Sequence, residues 1–144
     1  MSEITAEQIK DALTYLQNAI HKTAVDKGWW NDHDLLKQAV ALFNENRTES
    51  GKPSLPDNIS DVLFRTSKSM LAVTEISEGV ESLRKGDPPD DKLPQFSGQT
   101  VEIADDIIRQ LDLAARFSLP VIDAIIAKMK FNNTREHMHG GKAI

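Results

Sequence analysis

The chain has 144 residues, 40% hydrophobic and 27% charged, with a formal net charge of −5 and no basic block; this fits one domain over 1–144 with its own core and excludes a nucleic-acid duplex as a natural partner. With no cysteine, disulfides, thiolate catalysis and cysteine-bound zinc are ruled out. No apolar run approaches the roughly 20 residues of a membrane span, and the first residues lack the basic and apolar regions of a signal peptide, so no membrane is expected and the expected location is the cytoplasm.

Helix signals prevail along the whole chain, and no alternating strand pattern stands out. Thr5 is placed to cap a first helix over about 5–27, with Ile9, Leu13, Leu16 and Ile20 as its apolar stripe and Gly28 at its end. Asp32 or Asp34 is placed to cap a second helix to about 46, carrying Leu35, Leu36, Ala39, Val40 and Phe43. Residues 47–57 hold Gly51, Pro53 and Pro56 and read as a loop. A third helix is expected over about 58–85, with a break near Ser67–Ser69, an apolar stripe of Ala72, Val73, Ile76, Val80 and Leu83, and Gly86 and Pro88 beyond its end. The fourth is expected over about 99–117 with the stripe Val101, Ala104, Ile108, Leu111 and Ala115. Pro120 then opens a short fifth helix to about 131, and the tail from about 132 reads as irregular. The fold class is therefore all-α: an antiparallel bundle of about five helices.

Two acidic pairs stand out, Glu75-Ile-Ser-Glu78 and Glu102-Ile-Ala-Asp105. A three-residue spacing puts both members on one helix face. Four carboxylates brought together by two helices need cations between them, and an all-oxygen donor set suits Mg²⁺, with Mn²⁺ as a substitute. The plainer alternative is that the pairs flank their apolar stripes in solvent. A second apolar face, with Leu71, Ile103, Ile107 and Ala114, would bury such a centre if it packs against another helix or another subunit. Lys128, Asn132 and Arg135 stand at i, i+4 and i+7, one face of a helix, with donors suited to a polyphosphate; the alternative is a basic C-terminus complementing the helix dipole. His139-Gly-Gly-Lys142 offers backbone amides and a lysine for phosphate, or is a frayed end.

Taken together, the stretch from Leu71 to Gly86, the stretch Val101-Glu102-Ile-Ala-Asp105-Asp-Ile-Ile-Arg109, the stretch from Lys128 to Arg135 and the terminal HGGK resemble the MazG-like nucleoside triphosphate pyrophosphohydrolases of the all-α pyrophosphatase superfamily, in their small single-domain branch. The resemblance covers about residues 65 to 142. It implies that Glu75, Glu78, Glu102 and Asp105 hold Mg²⁺ and that Lys128, Asn132, Arg135 and Lys142 contact phosphates. It further implies hydrolysis of a nucleoside triphosphate, with a dNTP foremost, between the α- and β-phosphates to a monophosphate and pyrophosphate. Glu75 or Glu78 would orient or deprotonate the attacking water. His21 and Trp30 resemble a pair that encloses the base in some relatives, the alternative being a core tryptophan beside an exposed histidine. The resemblance also implies a homodimer or homotetramer that completes the bundle. Asp106 departs from the family pattern, which has an aliphatic residue there; lying about 160° from Ile108, it is expected to face solvent. A non-catalytic helical nucleotide-sensing or interaction module is the rival from another class.

Overall fold

The helix ends follow from local chemistry. In the computed structural model, which describes residues 5–135, α1 (Ala6–Asp26) begins in a capping box: the Thr5 hydroxyl accepts from the Gln8 N–H and the Gln8 side chain accepts from the Thr5 N–H. It ends where Gly28 takes φ +73°, a left-handed conformation that glycine adopts without penalty. α2 (Asn31–Glu49) follows at once; its N-cap is Trp30 rather than Asp32 or Asp34, and it runs past the expected end near 46. The two aspartates lie in its first turn and favour the helix through the dipole instead.

α3 (Ile59–Arg84) is continuous, so the expected break at Ser67–Ser69 does not occur. Serine is only a mediocre helix former, and two of them do not outweigh 26 residues of propagating helix. α4 (Gly98–Arg116) is capped by Ser97, whose hydroxyl accepts from the Thr100 N–H, and α5 (Val121–Asn133) follows Pro120 and outruns its expected end by two residues.

α3 and α4 make the most extensive pairing, α1 packs on α4, α2 on α3, and α5 on α1. α3 and α4 run antiparallel, because Ser82 lies beside Gly98, Gly79 beside Glu102 and Glu75 beside Arg109. A side chain at Gly98 would bring a Cβ within 2.4 Å of the Ser82 hydroxyl, so this glycine sets how closely the two helices approach. Asp87 at φ +52° reaches across the same corner, where its Oδ1 accepts from the Gln99 N–H at 2.9 Å and from the Ser82 hydroxyl at 3.1 Å. The Gln99 hydrogen bond comes first among the causes that hold the Asp87 carboxyl below the usual range.

The apolar stripes do not sit where periodicity places them. Buried apolar residues are few: Ala24, Trp30, Ala72, Leu111, Leu113, Ala114 and Ile122. Of the α3 stripe only Ala72 is buried, while Val73, Ile76, Val80 and Leu83 are about half exposed. Ile9 and Leu16 on α1 and Leu35 and Phe43 on α2 are exposed as well. No described helix is long and apolar enough to cross a membrane.

Candidate metal centre

α3 and α4 turn charged faces toward each other. At about 100° per residue, Asp61, Lys68 and Glu75 on α3 share one narrow arc, and Glu102, Asp105, Arg109, Asp112 and Arg116 on α4 fall within another of about 80°. These side chains are engaged in three groups, of which the first joins α3 to α4 directly through Glu75 and Arg109 and the other two run through His21, Trp30 and His33.

At one end Glu75, Glu78 and Glu102 each present an oxygen, and these ligand atoms lie within 4.8 Å of one another. Glu75 is only 5% exposed. Its Oε1 is 2.6 Å from Nη2 of Arg109, one helical turn beyond Asp105. Burial pushes the Glu102 carboxyl up to about 7, helped by its hydrogen bond with Glu75 and by the charges of Glu78, Glu75 and Asp105. Asp105 therefore stands outside the trio of oxygens but near enough for its charge to act on it. Gly79 lets the helices close here: a Cβ on it would already touch the Glu102 Cβ at 3.5 Å. Three carboxylates with no nitrogen or sulfur donor among them suit a hard divalent cation, Mg²⁺ or Mn²⁺. A proton held to about pH 7 and a guanidinium on Glu75 are what such a carboxylate group uses when no metal neutralises it. An open cleft of about 400 Å³ adjoins the trio, lined by Glu78, Glu102, Lys85, Asp90, Asp91 and Gly98 among others.

Asp106 corrects the expectation of solvent exposure. It is half-buried, its Oδ1 is buried with no hydrogen-bond partner among the described residues, and it lines a second cavity with Ile76, Gly79, Val80, Gln99 and Ile103. The expectation failed because it took Ile108 as the inward direction. α4 instead turns Glu102 and Arg109 inward, and Asp106 lies only about 40–60° from either.

In the second group Asp112 is the hub. It accepts the Trp30 indole N–H at 3.0 and 3.1 Å, and its Oδ1 is 2.7 Å from Nδ1 of His21. His21 and Trp30 are therefore brought together, with ring centroids 6.2 Å apart, by a shared carboxylate. Trp30 is 2% exposed, edged by Phe117 and His33 and overlain by Lys68 and Arg116. The cavity beside it measures about 40 Å³, far below the roughly 300 Å³ at which ligand pockets begin. In this conformation the indole is a core residue, with no face open to a base.

The third group centres on His33, 1% exposed. Its Nε2 is 3.0 Å from Asp61, its Nδ1 accepts from Arg116, and Arg116 also pairs with Asp34. Donation to Asp61 and acceptance from Arg116 describe a neutral imidazole, and burial is the main reason its pKa is lowered.

The basic trio is not brought to the carboxylates within one chain. Lys128, Asn132 and Arg135 are exposed on and just beyond α5, the helix that packs on α1, and among the described residues they form no ion pair or hydrogen bond with Glu75, Glu78, Glu102 or Asp105. Lys128 instead lies over the Phe131 ring at 5.1 Å. Lys142 lies outside the described residues. Sequence reasoning missed Arg109, Asp112, His33, Asp61 and Arg116. The signal was present in α4: Arg109, Asp112 and Arg116 continue the Glu102–Asp105 face at spacings of four, three and four.

No known protein family, characterised protein or solved structure matches the chain.

Proposed function

We propose that this chain is a Mg²⁺-dependent nucleoside triphosphate pyrophosphohydrolase of MazG-like type, cleaving between the α- and β-phosphates of a dNTP. The observation that carries the reading is the convergence of Glu75, Glu78 and Glu102 from two antiparallel helices, their charge only partly offset by the proton on Glu102 and by Arg109. Such an arrangement is costly unless a cation completes it, since like charges raise one another's pKa. It also stands beside a cleft of nucleotide size. Bound there, Mg²⁺ would neutralise charge developing on the leaving pyrophosphate and lower the pKa of the attacking water.

The chain's own residues do the rest. Glu75, Glu78 and Glu102 supply the oxygen ligands, and Asp105 adds charge at their edge. Of the trio, Glu75 is buried and held by Arg109, whereas Glu78 is exposed at the cleft. That exposure makes Glu78 the group placed to orient water for in-line attack. Lys128, Asn132 and Arg135, exposed on their own chain, are offered to a neighbouring copy in a homodimer or homotetramer.

The test is incubation of purified protein with Mg²⁺ and a panel of canonical and damaged NTPs and dNTPs, with products resolved by chromatography. Monophosphate and pyrophosphate, lost with EDTA and in Glu75→Gln and Asp105→Asn while circular dichroism is unchanged, are expected. Wild-type rates in either variant would remove these residues from the site. Failure to turn over any member of the panel would favour a nucleotide-sensing or interaction module.

A further inference from the structure

Arg109 is joined at one end to a buried ligand and is open at the other. Its Nη2 pairs with Glu75 at 2.6 Å, yet 41% of its side chain is exposed, and it shares the wall of a cavity with Lys68, Trp29 and Ile20. Lys68 is already engaged, donating to the Trp29 carbonyl at 3.2 Å and lying over the Trp30 ring. Glu75 needs a positive partner wherever it is ionised, because a buried carboxylate stripped of its counter-charge is strongly disfavoured. A divalent ion on Glu75 would supply twice the charge and repel the guanidinium from the same oxygen. Arg109 would then stand at the edge of the centre without a partner, and its planar fork matches a phosphate in two-point contact.

We propose that Arg109 is a built-in counter-cation that exchanges partners, holding Glu75 while no metal is bound and passing to the polyphosphate of the substrate once a divalent ion takes Glu75. This rests on the reading of the glutamate trio as a metal centre. It makes Arg109 a phosphate-contacting residue and gives metal and polyphosphate positive coupling: each binds better when the other has supplied Arg109 with, or freed it for, its second partner. Thermodynamic linkage requires the coupling to be the same in either order of addition.

The signature is a pair of effects of opposite sign. In Arg109→Gln, affinity for Mn²⁺ alone, read by electron paramagnetic resonance of the free ion, rises about tenfold because both the competitor and its repulsion are gone. Affinity for inorganic tripolyphosphate at saturating Mg²⁺, read by calorimetry, falls about tenfold, within the usual range of such couplings. Arg109→Lys, which keeps the charge but not the fork, restores the competition with Mn²⁺ more fully than the tripolyphosphate affinity. An arginine that only braces the fold would lower both affinities or neither, and either result overturns the proposal. If Arg109→Gln does not fold, the lysine variant decides: unchanged tripolyphosphate affinity overturns it. Glu78→Gln separates the two levels. Wild-type Mn²⁺ binding in that variant removes the metal centre and the proposal with it; lost binding there, with Arg109→Gln unaltered, removes the proposal alone.

Discussion

Glu102 retains its proton to about pH 7 in the folded protein, against an ordinary value of 4.5, chiefly because it is withdrawn from water and then because Glu75 and Glu78 press on it. Between those two values the native state binds a proton that the unfolded chain has released, so stability must fall as pH rises through this window. His33 acts in the opposite direction. Its pKa is lowered by burial, so below about 6.5 the unfolded chain takes up a proton that the native imidazole refuses, and stability falls as pH falls. The two are separable by substitution. In EDTA, Glu102→Gln is expected to flatten the decline of Tm between pH 5 and 7 and leave the His33 limb as it was. Equal slopes in wild type and variant would show that Glu102 ionises normally. Because an ion must displace this proton, Mg²⁺ affinity is also expected to rise with pH until about 7 and then level off, a trend calorimetry would follow.

Helix existence was legible in the sequence to within a few residues at most ends, because caps and breakers such as Thr5, Gly28 and Pro120 act locally. Helix orientation was not. The stripe Val73, Ile76, Val80 and Leu83 has the period of an inward face, yet α3 turns Ala72, Glu75 and Gly79 to α4. Periodicity finds the apolar side of a helix, but it cannot tell burial within one chain from an outer surface. The acidic pairs were legible as motifs, whereas the guanidinium on Glu75 depends on which turn of α4 meets which turn of α3. That register is set at the corner, where Gly98 lies against Ser82 and Asp87 accepts from Gln99. Gly98→Ala would force a Cβ to 2.4 Å from the Ser82 hydroxyl and 3.6 Å from the Pro88 carbonyl oxygen. The helix must shift to relieve it, since Ser82 is engaged with Asp87. The expected loss is about 1–3 kcal/mol by denaturant titration. Ser82→Ala in the same background is expected to recover part of it, and a neutral Gly98→Ala would show that the corner yields freely.

Viewed whole, the molecule exposes large apolar side chains at neighbouring positions of α3 and α4. Ile76 is 56% exposed, Val80 51%, Ile103 54% and Ile107 51%. Ile76, Val80 and Ile103 line one cavity between α3 and α4, where Asp106 holds an oxygen with no partner among the described residues. Charge lies on one side of this helix pair and an apolar ridge on the other, so the ridge lies directly behind the glutamate trio. Covering it with a second copy would withdraw the carboxylates further from water and strengthen every electrostatic interaction among them. The association expected is therefore a homodimer or homotetramer by light scattering, reduced to a lower state by Val80→Glu or Ile103→Glu. A wild-type monomer at micromolar concentration would sink it. The basic face of α5 sharpens the test, because among the described residues Lys128 and Arg135 form no ion pair or hydrogen bond with the four acidic residues. If they serve a neighbour's site, Glu75→Gln and Arg135→Ala are each inactive alone but complement when mixed and allowed to exchange subunits. One site in such a hybrid then combines an intact acidic half with an intact basic half. Activity recovered on mixing, absent with either variant alone, is the outcome expected of a shared site. No recovery after demonstrated exchange would confine each site to a single chain and require α5 to move toward its own carboxylates when substrate binds.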